Sequence, residues 1–122
     1  QGDLNGCPTQ LIVIHAAGYT LPNYKKEDIE FWKTNLSRLK EIQPDLASLK
    51  NNSNFYQNNK NDIDRINEII SIRIANISTI VTKMEANQWL TTAEQKMIDQ
   101  DKTLYDEQEA IATRLISRLN SR

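Results

Sequence analysis

Few side chains in this sequence are able to do chemistry, so their spacing carries the argument. His15 is the sole histidine and Cys7 the sole cysteine. A structural zinc site takes about four Cys, His or carboxylate ligands at close spacing, and this pair supplies neither number nor spacing. A cysteine nucleophile needs a histidine base and a group that orients it. Cys7 and His15 stand eight residues apart with Pro8 between them, and no third partner is in view. His15 is expected to be a structural histidine and Cys7 a free thiol near a loose end, and a lone Cys7 excludes an intrachain disulfide. Asp62, Asp64, Glu68, Asp99, Asp101, Asp106, Glu107 and Glu109 offer carboxylates for acid–base work. Glycosidase chemistry needs two of them facing each other across a cleft, and a di-iron bundle needs Glu-x-x-His pairs, which the sequence lacks. Most stand beside Lys or Arg, so solvated helix faces are the expectation. No catalytic residue, metal or cofactor is assigned, and the expectation is a protein that is not an enzyme.

Arg73 is the informative exception. Ile63, Ile66, Ile70, Ile77, Ile80 and Met84 recur at three- and four-residue steps, and Arg73 falls on the same seam. A guanidinium on an apolar seam must be paired or solvated. One reading has it reach solvent or pair with an acid on a facing helix, Asp101 or Glu109. The sharper reading has its planar fork hold the carboxylate of a ligand between helices, with Trp32 as a second candidate ligand-binding residue. At its helical spacing Trp32 also fits a core role, and Trp89 falls in a connection. Asn35-Leu36-Ser37, Asn51-Asn52-Ser53 and Asn76-Ile77-Ser78 match the glycosylation pattern, as an asparagine-rich chain does by chance.

The elements that must position these residues read as helices. The 122 residues suit one domain, 1–122, with 1–10 as an irregular lead-in. Gly and Pro number three each, far fewer than a β-sandwich or barrel would use for its turns. Leu11–Ala17 is an apolar run ended by Gly18, which predicts a short N-terminal helix. Asn23 is the expected N-cap of a first long helix carrying Ile29, Trp32, Leu36, Leu39, Ile42, Leu46 and Leu49 on one stripe. Pro44 is expected to kink it near Lys40 or to start a new helix, and Asn51–Asn54 breaks the period. The isoleucine-rich helix follows, from about Asp62 to Met84. Ile69, Ile72, Ile74 and Val81 lie off its seam, so the apolar arc is wide enough to need more than one neighbour. Thr92 and Gln95 resemble a capping box at the start of the last helix. That helix has its seam at Met97, Asp101, Leu104, Gln108, Ile111, Leu115 and Leu119. Asp101 and Gln108 within the seam predict looser packing or a wetter groove. The expected fold is all-α: an antiparallel, four-helix-bundle-like arrangement of three long helices plus the short N-terminal apolar one.

Fifteen basic and sixteen acidic residues are interleaved, for a net charge of −1. No basic cluster appears, so neither a nucleic-acid surface nor a polybasic membrane face is expected. Leu4-Asn5-Gly6-Cys7 resembles a lipoprotein cleavage box without the apolar stretch that precedes one. Gln1 is not a translation start, so the chain is expected to be a trimmed or mature fragment, with any membrane segment outside it.

The arrangement resembles the helical-bundle CHASE-type sensory domain of bacterial histidine kinases and chemoreceptors. Gly18-Tyr19-Thr20-Leu21-Pro22-Asn23-Tyr24 stands where that family carries its Gly-Tyr-Leu-Leu-Thr-Gly turn and following Tyr. Leu36-Ser37-Arg38-Leu39 stands at its Leu-x-x-Leu pattern, and Gln57 to Val81, with Ile72-Arg73-Ile74, at its third helix. Glu109 to Arg118 stands at the last helix, which in the family leads into the membrane. The sequence departs at Ala17, where the family has Arg, and at Pro22 in place of the second Gly, and no ligand residues carry over. The resemblance implies an extracytoplasmic, periplasmic or extracellular, sensory or ligand-binding domain of a transmembrane receptor. Its partners would be a small-molecule ligand or a protein, with a homodimer through the Ile63–Met84 helix. The alternative expectation is a small secreted or periplasmic protein-interaction protein, such as an inhibitor, immunity or secretion accessory factor.

Overall fold

The computed structural model describes residues 21–121. The expected lead-in, the short apolar helix at Leu11–Ala17, Cys7 and His15 lie outside the described residues. Within them all regular structure is helical: α1 Lys26–Ser48, a 3-10 turn Leu49–Asn51, α2 Ser53–Asn58, α3 Lys60–Glu85 and α4 Thr92–Asn120. The three long helices of the sequence reading are α1, α3 and α4.

Their boundaries follow local chemistry, with three corrections. Asn23 does not cap α1: Lys25 is the N-cap residue, extended at φ −70° and ψ 140° and without a side-chain cap bond. Glu27 and Asp28 in the first turn favour that start by facing the positive end of the helix dipole. Pro44 does not begin a new helix, because α1 runs through it to Ser48. The cap of α4 is Thr91, not Thr92. Its hydroxyl accepts from the Glu94 backbone N–H at 3.1 Å, and the Glu94 carboxylate accepts from the Thr91 N–H at 2.8 Å. The capping box is thus real but one residue earlier, with Glu94 in the role expected of Gln95.

Asn87 closes α3. Its φ of 55° is left-handed, a region asparagine tolerates better than most residues. The Gln88 N–H donates to the Lys83 carbonyl at 2.9 Å and the Asn87 N–H to that of Met84 at 3.1 Å, a Schellman ending. The Tyr24 hydroxyl donates to the Gln88 carbonyl at 2.6 Å, fastening the start of α1 to this turn.

The helices alternate in direction. Lys33 pairs with Glu85 at one end of the α1–α3 contact and Lys50 with Asp64 at the other. Lys83 pairs with Glu94 beside the α3–α4 connection, and Asp62 with Arg114 at the far end. The wide apolar arc of α3 is therefore covered from within the chain, by α1 on one flank and α4 on the other. Ile63, Ile66, Ile69, Ile70, Ile77 and Ile80 are fully buried. Ile72, placed off the seam by its spacing, is exposed. One apolar cluster joins Leu39, Phe55, most of the α3 isoleucines, Ile111 and Leu115. A second, around Ile80, Met84 and Leu90, lies toward the α3–α4 turn, and Trp32 packs against both.

Candidate functional site

Arg73 is the polar centre of this interior. Its side chain is 3% exposed. Nε donates to Asp101 Oδ1 at 2.8 Å and Nη2 to Asp101 Oδ2 at 2.9 Å, a bidentate fork on one carboxylate. Nη1 donates to Gln108 Oε1 at 2.9 Å. The Tyr105 ring lies over the guanidinium, 5.4 Å from carbon to ring centroid.

The two polar residues of the α4 seam are thus explained. Asp101 and Gln108 are buried, so they do not border a wetter groove, and Asp101 does not sit on a solvated face. Seven residues apart on α4, they project to the same side two turns from each other. The guanidinium fits between them. A charged group in an aliphatic seam is tolerable because its forked face and a third nitrogen are satisfied by charge-assisted or polar hydrogen bonds. The carboxylate that fills the fork of Arg73 is the chain's own. Trp32 is half-buried and meets Phe31 edge-on, 5.1 Å between centroids at 84°. Arg73 lies on the α4 side of α3, whereas Trp32 belongs to α1, so the structure does not bring the two into one site.

Below the Arg73 site the α3–α4 contact carries more charge. Arg65 Nε and Nη2 donate to the Glu107 carboxylate at 2.7 and 2.8 Å, and Nη1 to Glu68 at 2.8 Å. Arg65 holds the Glu107 carboxyl below its usual range. At the lower end Asp62 accepts from Arg114 at 2.9 and 3.1 Å and from Arg118 at 2.8 Å. Hydrogen bonds from Arg114, then from Arg118, hold its carboxyl down at about 2, against the opposing effect of burial. A polar surface hollow of about 320 Å³ opens beside this pair, lined by Gln57–Asp62 and Arg118. On the α1 side, Asp64 accepts from Lys60 at 2.7 Å and from the Tyr56 hydroxyl at 2.6 Å. Lys60 first, then Tyr56, lowers the Asp64 carboxyl, and Asp64 in turn raises the Tyr56 hydroxyl.

Sequence reading did not find the Asp62–Arg114–Arg118 and Arg65–Glu107 pairs. Their partners are 42 to 56 residues apart, and no local spacing signals such a meeting. Among the described residues no group of three or more His, Cys, Asp or Glu side chains could hold a metal ion, and no helix is long and apolar enough to cross a membrane. No protein-family model, curated protein or solved structure matches this chain.

Proposed function

We propose that this chain is a non-enzymatic helical-bundle sensory domain of the receptor type, which binds a small molecule or a partner and passes a helix displacement onward through α4. The observation that carries the reading is the tie between α3 and α4. Ion pairs at Lys83–Glu94, Arg73–Asp101, Arg65–Glu107 and Asp62–Arg114 join the two helices along their whole contact. The buried Arg73–Asp101 fork carries most of the resistance to slip, and the three more exposed pairs mark the same alignment, so a displacement of the central helix would be delivered to the last one. The resemblance of Gln57–Val81 and Glu109–Arg118 to the third and last helices of CHASE-type domains supports the same assignment, and with it an extracytoplasmic location.

The full-length gene product tests it first. A transmembrane segment following the equivalent of Arg122, with a signalling domain beyond, is the expected arrangement. A product with no membrane segment would overturn the receptor reading. The role of Arg73 is tested separately by thermal-shift titration of small carboxylates. A ligand must compete with Asp101 for the guanidinium, so wild type is expected to gain thermal stability with added ligand and Arg73→Lys, which loses the fork, to gain less. Equal gains would remove Arg73 from ligand binding.

The second reading is a protein-interaction factor, which would use exposed apolar side chains such as Phe31 on α1 and Ile116 on α4. A parent product of roughly domain size carrying only a cleaved signal would support it, since single domains run to about 100–200 residues.

A further inference from the structure

We infer that the buried Arg73–Asp101–Gln108 cluster is a register latch: it selects one alignment of α4 on α3 and adds little to the free energy of folding. The inference stands whether or not the domain is a sensor.

The seams of the two helices are otherwise interchangeable. That of α3 reads Ile63, Ile66, Ile70, Ile77, Ile80 and Met84, and that of α4 Met97, Leu104, Ile111 and Leu115. A slide of α4 by one heptad, about 10 Å along the axis, would set aliphatic residue against aliphatic residue again. Apolar burial is non-directional and distinguishes such alignments poorly. The three polar interruptions of the two seams meet at one place, and that coincidence occurs in a single alignment.

Both neighbouring alignments leave the cluster worse off. A slide by a heptad one way replaces Asp101 and Gln108 by Gln108 and Leu115 beside Arg73, which strands the charge without an acid. A slide the other way brings Glu94 and Asp101, which draws Glu94 away from Lys83 and leaves Gln108 without the guanidinium it accepts from. The outer pairs Arg65–Glu107 and Asp62–Arg114 also mark the alignment, but their side chains are 21–48% exposed. Solvated pairs contribute little energy difference between alignments. An unpaired charge at the depth of Arg73 contributes a large one. Desolvation of the latched pair offsets most of its attraction, so exchanging all three residues for apolar ones of similar size removes the selectivity without removing the fold.

The test is a distance measurement between spin labels at Thr82→Cys on α3 and Lys96→Cys on α4, both exposed, with Cys7→Ser in the background. It is run in the wild-type interior, in the triple variant Arg73→Met, Asp101→Leu, Gln108→Leu, and in Asp101→Ala alone. The wild-type interior gives one narrow distance. The triple variant is expected to keep or raise the thermal midpoint while its distance distribution splits or broadens by a heptad shift. Asp101→Ala is expected to lower the midpoint, because Arg73 remains buried without its acid. A triple variant with a single narrow distance equal to that of wild type would overturn the latch. So would a triple variant destabilised as much as Asp101→Ala, since the cluster would then be a source of stability instead of alignment.

Discussion

Arg73 and Asp62 show how two ion pairs of similar geometry come to differ in consequence. The Arg73 side chain is only 3% exposed, so deleting Asp101 leaves a buried charge with no acid to balance it. Asp101→Ala is expected to cost about 3–5 kcal/mol in urea unfolding at neutral pH. Asp62 is partly open to solvent, with a side chain 21% exposed beside arginines that are nearly half exposed. Its folded-state value of about 2 is below the unfolded value of about 3.9. The pair therefore contributes stability above that unfolded value and loses it as pH falls from about 4 through about 2. Solvent screening holds its contribution to about 1 kcal/mol at pH 7. Asp62→Asn should show that loss at neutral pH and match wild type below pH 2 when both are followed by circular dichroism.

Among the elements, α3 bears most of the packing and α1 much less. Six isoleucines of α3 are fully buried, whereas Leu39 is the one buried residue of α1. Ile70→Ala should cost about 2–5 kcal/mol in chemical denaturation, and Ile72→Ala, at the surface, less than about 0.5 kcal/mol. Pro44 is exposed and removes a backbone donor from the interior of α1. Pro44→Ala restores that donor without opening a cavity. It should raise the thermal midpoint, with a gain of roughly 1 kcal/mol once the greater freedom of the unfolded chain is set against it. At the start of α4, Thr91→Ala should cost about 1 kcal/mol, since it removes one half of the capping box. Thr92→Ala should be nearly silent, which separates the observed cap from its neighbour.

Among the described residues, the central helix is held from two sides while α1 and α4 are each held mainly from one. Opening either outer helix exposes less apolar surface than opening the central one. Native-state hydrogen exchange should thus be slowest at the amides of Ile66–Ile77 and faster at both ends of α1 and at the end of α4. Equal protection across the three long helices would show that they open only together.

The sequence alone determined the three long helices and the buried face of α3, because apolar periodicity is a local property and α3 declares it along its whole length, whereas the short α2 at Ser53–Asn58 was read as a break in the period. It also marked Arg73 as the residue that breaks the pattern, and it named Asp101 among two acids able to answer it. It placed caps to within a residue or a few, at Thr91 and Lys25, where several neighbouring polar residues compete and small energy differences choose. Tertiary structure decided which acid met Arg73, that Gln108 completed the cluster, and that Arg114 and Arg118 converge on Asp62. Those outcomes depend on how far α4 slides and turns against α3. Periodicity is unchanged by a slide of one heptad, so only the packed helices could settle the alignment.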